Sequence, residues 1–307
     1  MGCVSTKSKR NSLIEFYRFL FAMWVVYYHG YFFLPKTQYF SSGYLAVDFF
    51  FMLTGYFIMK DIIKQSDQSL IKGAINLVWK KLKPLGVTLI ISLFFAWVYF
   101  FLNLQDLGSP WGFMWYIKWL IIVPVLFYLL YRALPNKKLF YISIAAIVCV
   151  SYVLQATLFY GVGILRGLTG IGLGVLLSLI PKNNLKIKNF NLNFVFSGLF
   201  IIATVLFACF NYKMQNPDHL FILCLAPGLL YFTSCVTISC KTLNYLGGLA
   251  FGLYAYQTIC RVVEHMGWLN DREHYVQLFC IVFVCAVLDD LIRRIVRNYK
   301  NKNIIEG

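Results

Sequence analysis

Three ionisable residues stand in apolar surroundings near the amino terminus: Arg18, His29 and Asp48. An imidazole that is neutral near pH 7 can take a proton from a hydroxyl, and a neighbouring carboxylate can fix its tautomer and steady the imidazolium. A guanidinium can hold a phosphate. Arg18 and His29 are eleven residues apart. At about 100° per helical residue that is nearly three turns, so both side chains leave one face, roughly 16 Å apart along the axis. A cation and an imidazole on one stripe of an apolar helix describe a polar path, with Asp48 on the next apolar segment as an orienting partner for His29. Each has a plainer reading. His29 could hydrogen-bond a carbonyl or Tyr27, Tyr28 or Tyr31, and Arg18 could pair with Glu15 and reach back to an interface.

Further candidates lie along the chain. Lys80-Lys81-Leu82-Lys83-Pro84 sets three ammonium groups just before an apolar run. They serve either as a lipid-headgroup anchor or as a grip on a phosphorylated ligand. Arg166 opens a glycine-rich run, 166–174, that lacks a phosphate-loop lysine and suits close helix packing. Lys118, beside Trp115, Tyr116 and Trp119, is a cation–π or path-lining residue, or one that reaches an interface. Glu264, His265, Asp271, Glu273 and His274 match no familiar metal-ligand spacing, so no metal is expected.

The elements that position these groups must be membrane helices. Of 307 residues 60% are hydrophobic and only 13% charged, and mean hydropathy is +0.69. Soluble domains carry roughly half apolar and a quarter charged residues. The formal charge of +16 falls between the apolar runs instead of forming a soluble basic face, so nucleic acid is not the expected partner; membrane lipid is. The nine cysteines mostly lie within apolar runs and read as reduced packing residues.

Ten runs are long enough to cross the hydrocarbon layer, near 13–34, 43–59, 85–102, 112–131, 139–159, 164–180, 192–210, 220–238, 243–262 and 275–292. With the amino terminus inside, the inner connections and tails hold 21 Lys and Arg and the outer ones four. That asymmetry predicts an all-α polytopic protein with both termini cytoplasmic, in the cell (plasma) membrane. Residues 1–12 form a cytoplasmic amino-terminal segment, 13–292 one transmembrane domain, and 293–307 a basic cytoplasmic tail. Arg18 then lies toward the cytoplasm, and His29 and Asp48 toward the outside.

The residues Arg18-x10-His29, followed by Gly43-Tyr44-Leu45-Ala46-Val47-Asp48-Phe49-Phe50-Phe51 and the run on to Ile58, resemble the start of the acyltransferase 3 family of integral membrane acyltransferases. The likeness continues at Lys80 to Pro84, at Trp115-Tyr116, at Arg166 with its glycines, and at Leu246-Gly247-Gly248-Leu249-Ala250-Phe251-Gly252-Leu253-Tyr254. The resemblance implies an O-acyltransferase that moves an acyl group, acetyl in the usual case, from cytoplasmic acyl-CoA to a carbohydrate hydroxyl, often of a cell-surface polysaccharide. No cofactor beyond that donor is implied. His29 would be the catalytic imidazole, with Arg18 as its partner in the motif and Asp48 beside it. Lys80 and Lys83, with Arg18 and Arg166, would meet the donor. Trp115, Tyr116, Lys118 and Gln257 would line the substrate path. Two departures stand out. Lysines replace the family's usual Arg-x-x-Arg, which keeps charge but loses the planar fork, and Gln257 stands where many relatives have a second histidine. The rival reading is a transporter or flippase for a polar or polyprenyl-linked substrate, since intramembrane Arg, Lys and His would serve it equally well.

Overall fold

Unbroken apolar runs leave the backbone no partner but itself, and in this chain they fold as helices. The computed structural model describes residues 11–30, 40, 42–101, 115–157, 162–183, 185–187, 190–210, 218–265 and 274–305. Its helices are α1 (Ser12–Gly30), α2 (Ala46–Gln65), α3 (Leu70–Leu82), α4 (Gly86–Phe101), α5 (Trp115–Ala133), α6 (Lys137–Thr157), α7 (Gly163–Leu177), α8 (Leu192–Phe210), α9 (Asp218–Leu220), α10 (Ala226–Ser234), α11 (Lys241–His265) and α12 (His274–Ile305). A π-helical turn, Phe221–Leu225, joins α9 to α10 without a break. A hairpin of two-residue strands, β1 (Lys186–Ile187) and β2 (Phe190–Asn191), links α7 to α8.

Among the described residues, each of the ten apolar segments is mainly helical, the eighth being the continuous α9–α10 unit. Among the described residues α5, α6 and α8 are long and apolar enough by themselves to cross a bilayer. The outer flanks are apolar too: Ile90 is 70% exposed, Phe94 62% and Ile142 65%. A belt of that kind belongs in lipid, because water-soluble surfaces rarely carry such contiguous patches.

The unexpected helix is α3, inside the basic connection 60–84. It buries Gly73 and Leu77 and turns Ile71, Ile75 and Trp79 outward, a stripe at four-residue spacing. An exposed apolar stripe on a helix with lysines is the pattern of one lying in the membrane interface.

Two packing relations set the site. Helix α1 runs along α11, and its start is docked on the turn between α10 and α11: Asn11 Nδ2 donates to the Thr233 and Val236 carbonyls, while Ser12 Oγ accepts from the Cys240 N–H. Helix α2 runs along α7. There a Cβ on Gly55 would overlap the Ile171 carbonyl, and one on Gly174 the Met52 carbonyl. The two backbones touch, and nothing flexible can yield. Gly55→Leu or Gly174→Leu should therefore destabilise the bundle by at least about 2–3 kcal/mol, the scale of overpacking against a rigid neighbour. Thermal unfolding in detergent micelles measures it, and a midpoint equal to that of the unaltered protein would contradict the packing.

Candidate active site

At the end of the bundle where α1 begins, α1, α2, α3, α10 and α11 surround a cavity of about 750 Å³. Arg18, Lys60, Lys80, Lys81 and Lys182 line it, against the carboxylates Glu15 and Asp61. Arg18 donates to Glu15 at 2.7 Å, and Lys80 pairs with Asp61. Five cations facing two carboxylates leave a positive excess, so the cavity suits an anion of more than one charge. Burial pushes the Lys81 ammonium below the ordinary lysine range; Asp61 opposes the shift and the nearby Lys80 and Arg18 add to it. A bound anion would relieve that strain between like charges.

The lysines divide by helical geometry. Lys80 and Lys81 lie on the last turn of α3 and face the cavity, whereas Lys83 caps that helix, is exposed, and is not among the lining residues. Successive residues are about 100° apart, which puts Lys81 and Lys83 on opposite flanks of Lys80. The sequence motif alone favoured Lys80 with Lys83; the structure brings Lys80 together with Lys81.

Farther along α2 from Lys60 and Asp61, the cavity is lined by Phe50, Leu53, Thr54, Leu120, Tyr116 and Tyr254. The rings of Tyr116 and Tyr254 meet edge-on at 5.2 Å. Toward the opposite end lies the most buried ion pair described in the chain. Arg166 Nε donates to Asp48 Oδ1 at 3.1 Å and Nη2 to Oδ2 at 2.7 Å, with the side chains only 9% and 3% exposed. The same Nη2 donates to the Tyr44 carbonyl at 2.7 Å, and the guanidinium lies 5.0 Å from the Trp115 ring centre and 5.8 Å from that of Tyr44. Arg166, expected among the donor contacts, is thus engaged by Asp48 on α2, away from the lysines. Further polar contacts follow toward that end. Tyr44 Oη donates to Asp218 Oδ1 at 2.6 Å, and Tyr152 Oη lies 2.5 Å from His219 Nδ1.

Helix α1 carries Arg18 and residue 29 without interruption, so the two stand at opposite ends of one helix. The side chain of His29 lies outside the described residues; that of its neighbour Tyr28 packs on the Tyr44 ring at 5.6 Å. Trp115 and Tyr116 reach the site, one beside Arg166 and the other in the cavity. Lys118 does not: it is exposed, with its ammonium 4.7 Å over the Trp119 ring. Gln257 is buried, and its Oε1 finds no hydrogen-bond partner among the described residues. The side chains of Glu264, His265, Asp271, Glu273 and His274 lie outside the described residues.

Sequence reasoning missed Lys60 and Lys182 as cavity residues, named Lys81 within the basic run without choosing it as a donor contact, and missed Asp218 beyond Tyr44. A lysine in a connection between apolar runs looks the same whether it anchors the loop or lines a cavity, and only the third dimension separates those that face inward. For Asp218 the signal was a lone carboxylate beside His219 at the start of an apolar run.

A family model described as an acyltransferase domain matches residues 11–288. Neither the curated proteins nor the solved structures gave a significant match.

The ion pair yields a test independent of any activity. Arg166→Met leaves a buried carboxylate uncompensated and should cost about 3–5 kcal/mol of stability, whereas the double variant Asp48→Leu/Arg166→Met should recover much of that loss. Unfolding midpoints of the three proteins decide it; a double variant no more stable than Arg166→Met would contradict the pairing.

Proposed function

The chain belongs to the acyltransferase 3 family of membrane acyltransferases, and on that premise we propose that it transfers an acyl group, acetyl in the first instance, from cytoplasmic acyl-CoA to a carbohydrate hydroxyl of a cell-surface polysaccharide. The observation that carries this reading is the basic cavity, lined by Arg18 and four lysines and also by Tyr116 and Tyr254, with the Asp48–Arg166 pair beyond. A coenzyme A molecule is a polyanion at one end and a neutral thioester-bearing arm at the other. Cations at one end of the cavity and uncharged side chains farther along α2 fit that order.

In this reading the ten apolar segments all cross the plasma membrane, and both termini and the basic cavity face the cytoplasm. Arg18, Lys80 and Lys81 hold the phosphates. The arm reaches toward Tyr116, and His29 at the far end of α1 takes the proton of the acceptor hydroxyl. The hydroxyl oxygen attacks the thioester carbonyl, a C–O bond forms, the C–S bond breaks, and the departing thiolate of coenzyme A takes up a proton. Asp48 supports the imidazole. Arg166 uses one lone pair on each of its oxygens, and an ionised carboxylate offers about four such sites, so capacity remains for an imidazole N–H. Family membership favours this reading over a transporter, for which transfer of the acyl group itself would not be needed.

Two variants test it. His29→Ala should abolish acetylation of the surface glycan while the protein still inserts at its normal level; acetylation at the unaltered rate would sink the mechanism. Lys80→Ala/Lys81→Ala should raise the KM for acyl-CoA by about ten- to a hundredfold, the scale of lost charge-assisted hydrogen bonds, with kcat changed far less. Steady-state rates against donor concentration separate the two effects.

A further inference from the structure

Helix α3 carries Lys72, Lys80, Lys81 and, at its C-cap, Lys83, and only Lys80 and Lys81 line the basic cavity. The inner face of the helix is fixed by what it touches. A Cβ on Gly73 would overlap the hydroxyl of Tyr128 on α5, and Asn76 Nδ2 donates to Gln68 Oε1 at 2.7 Å. The opposite face is free. At about 100° per residue, Ile71 and Trp79 lie about 40° to either side of Ile75, while the buried Gly73 and Leu77 lie about 160° from it. Ile71, Ile75 and Trp79 are accordingly 71%, 60% and 62% exposed. On the same count Lys72 and Lys83 fall about 60° and 80° from Ile75, both along one edge of the stripe, whereas Lys80 and Lys81 fall about 140° and 120° away, toward the cavity. Lys80 has Asp61 as a partner. Lys72 and Lys83 are exposed, and neither enters an ion pair among the described residues.

We propose that this face of α3 seats anionic phospholipid of the bilayer, with headgroup phosphates on Lys72 and Lys83 and acyl chains against Ile71, Ile75 and Trp79. The 13 residues of α3 span about 20 Å, too short to cross the hydrocarbon layer, and lysines near both of its ends keep those ends at the surface. The helix therefore lies along the membrane, its lysine stems beside the apolar stripe and their ammonium groups at headgroup level. The stripe has a continuation. Val87 and Ile90, exposed on α4, begin the lipid-facing belt just beyond Lys83. Lipid also answers the charge, since a cation at the surface is attracted to anionic headgroups within a Debye length. A second copy of the chain docked through the same face would add two more lysines, and α3 has no carboxylate to meet them. One helix thus sorts its lysines by face, Lys80 and Lys81 to the cavity and Lys72 and Lys83 to the membrane surface.

Trp79 serves as the probe. The whole protein is reconstituted into vesicles of equal parts phosphatidylcholine and phosphatidylglycerol, with bromine on the acyl chains of one lipid or of the other. The emission of Trp79 is the difference between each protein and the same protein carrying Trp79→Phe. Brominated phosphatidylglycerol should quench that emission at least about twofold more than brominated phosphatidylcholine, the preference expected of two lysines at an anionic surface. Lys72→Gln/Lys83→Gln should abolish the preference, and Lys72→Arg/Lys83→Arg, which keeps the charge, should retain it. Equal quenching by the two lipids in the unaltered protein, or a preference that survives the glutamine variant, overturns the headgroup seat. A Trp79 that neither lipid quenches is covered by protein, and overturns it as well.

Discussion

A charge in lipid must find its opposite, and in this bundle one such meeting governs the rest. Asp48 enters from the first turn of α2 and Arg166 from the first turn of α7; their bidentate contact is closed off by the Tyr44 carbonyl and the faces of Trp115 and Tyr44. Two ions removed from water are stable together only when geometry and further hydrogen bonds satisfy them. The close backbone approach at Gly55 and Gly174 supplies that geometry, because it fixes how far α2 can slide along α7. The pair therefore sets the register of the two helices that stand between the cavity and the opposite end of the bundle.

Around that fixed centre the polar groups change in character along the axis. Lysines and Arg18 crowd the end where α1 begins, hydroxyls of Thr54, Tyr116 and Tyr254 follow, then the neutralised ion pair, then Tyr44 with Asp218. The excess of cation at one end suits an anionic ligand, and the uncharged side chains beyond it suit a neutral one. In the proposed reaction the two ends of α1 bracket these groups, Arg18 at one and His29 at the other.

Much of the fold was legible in the sequence because lipid imposes a simple code: apolar runs of spanning length become helices, and among the described residues all ten did in the main. Helix α3 was hidden because Lys72, Lys80 and Lys81 made its segment read as a charged loop, although Ile71, Ile75 and Trp79 already had helical spacing. The Glu15–Arg18 pair, three residues apart, was local and therefore readable. The Asp48–Arg166 pair joins positions 118 residues apart, and no pattern in one sequence couples them. Asp48 was read with its near neighbour His29 for that reason. The same holds for Lys182, which reaches the cavity from the turn after α7.

The most direct measurement of the central claim is the fate of the donor. Purified protein in detergent is given acetyl-CoA together with surface glycan, free thiol is followed in time, and the glycan is weighed by mass spectrometry. Release of coenzyme A that requires the glycan, matched mole for mole by glycan heavier by one acetyl group, is the expected result. A glycan of unchanged mass, with acetyl-CoA left intact under conditions where the protein remains folded, would contradict acyl transfer and leave transport as the better explanation of the polar path.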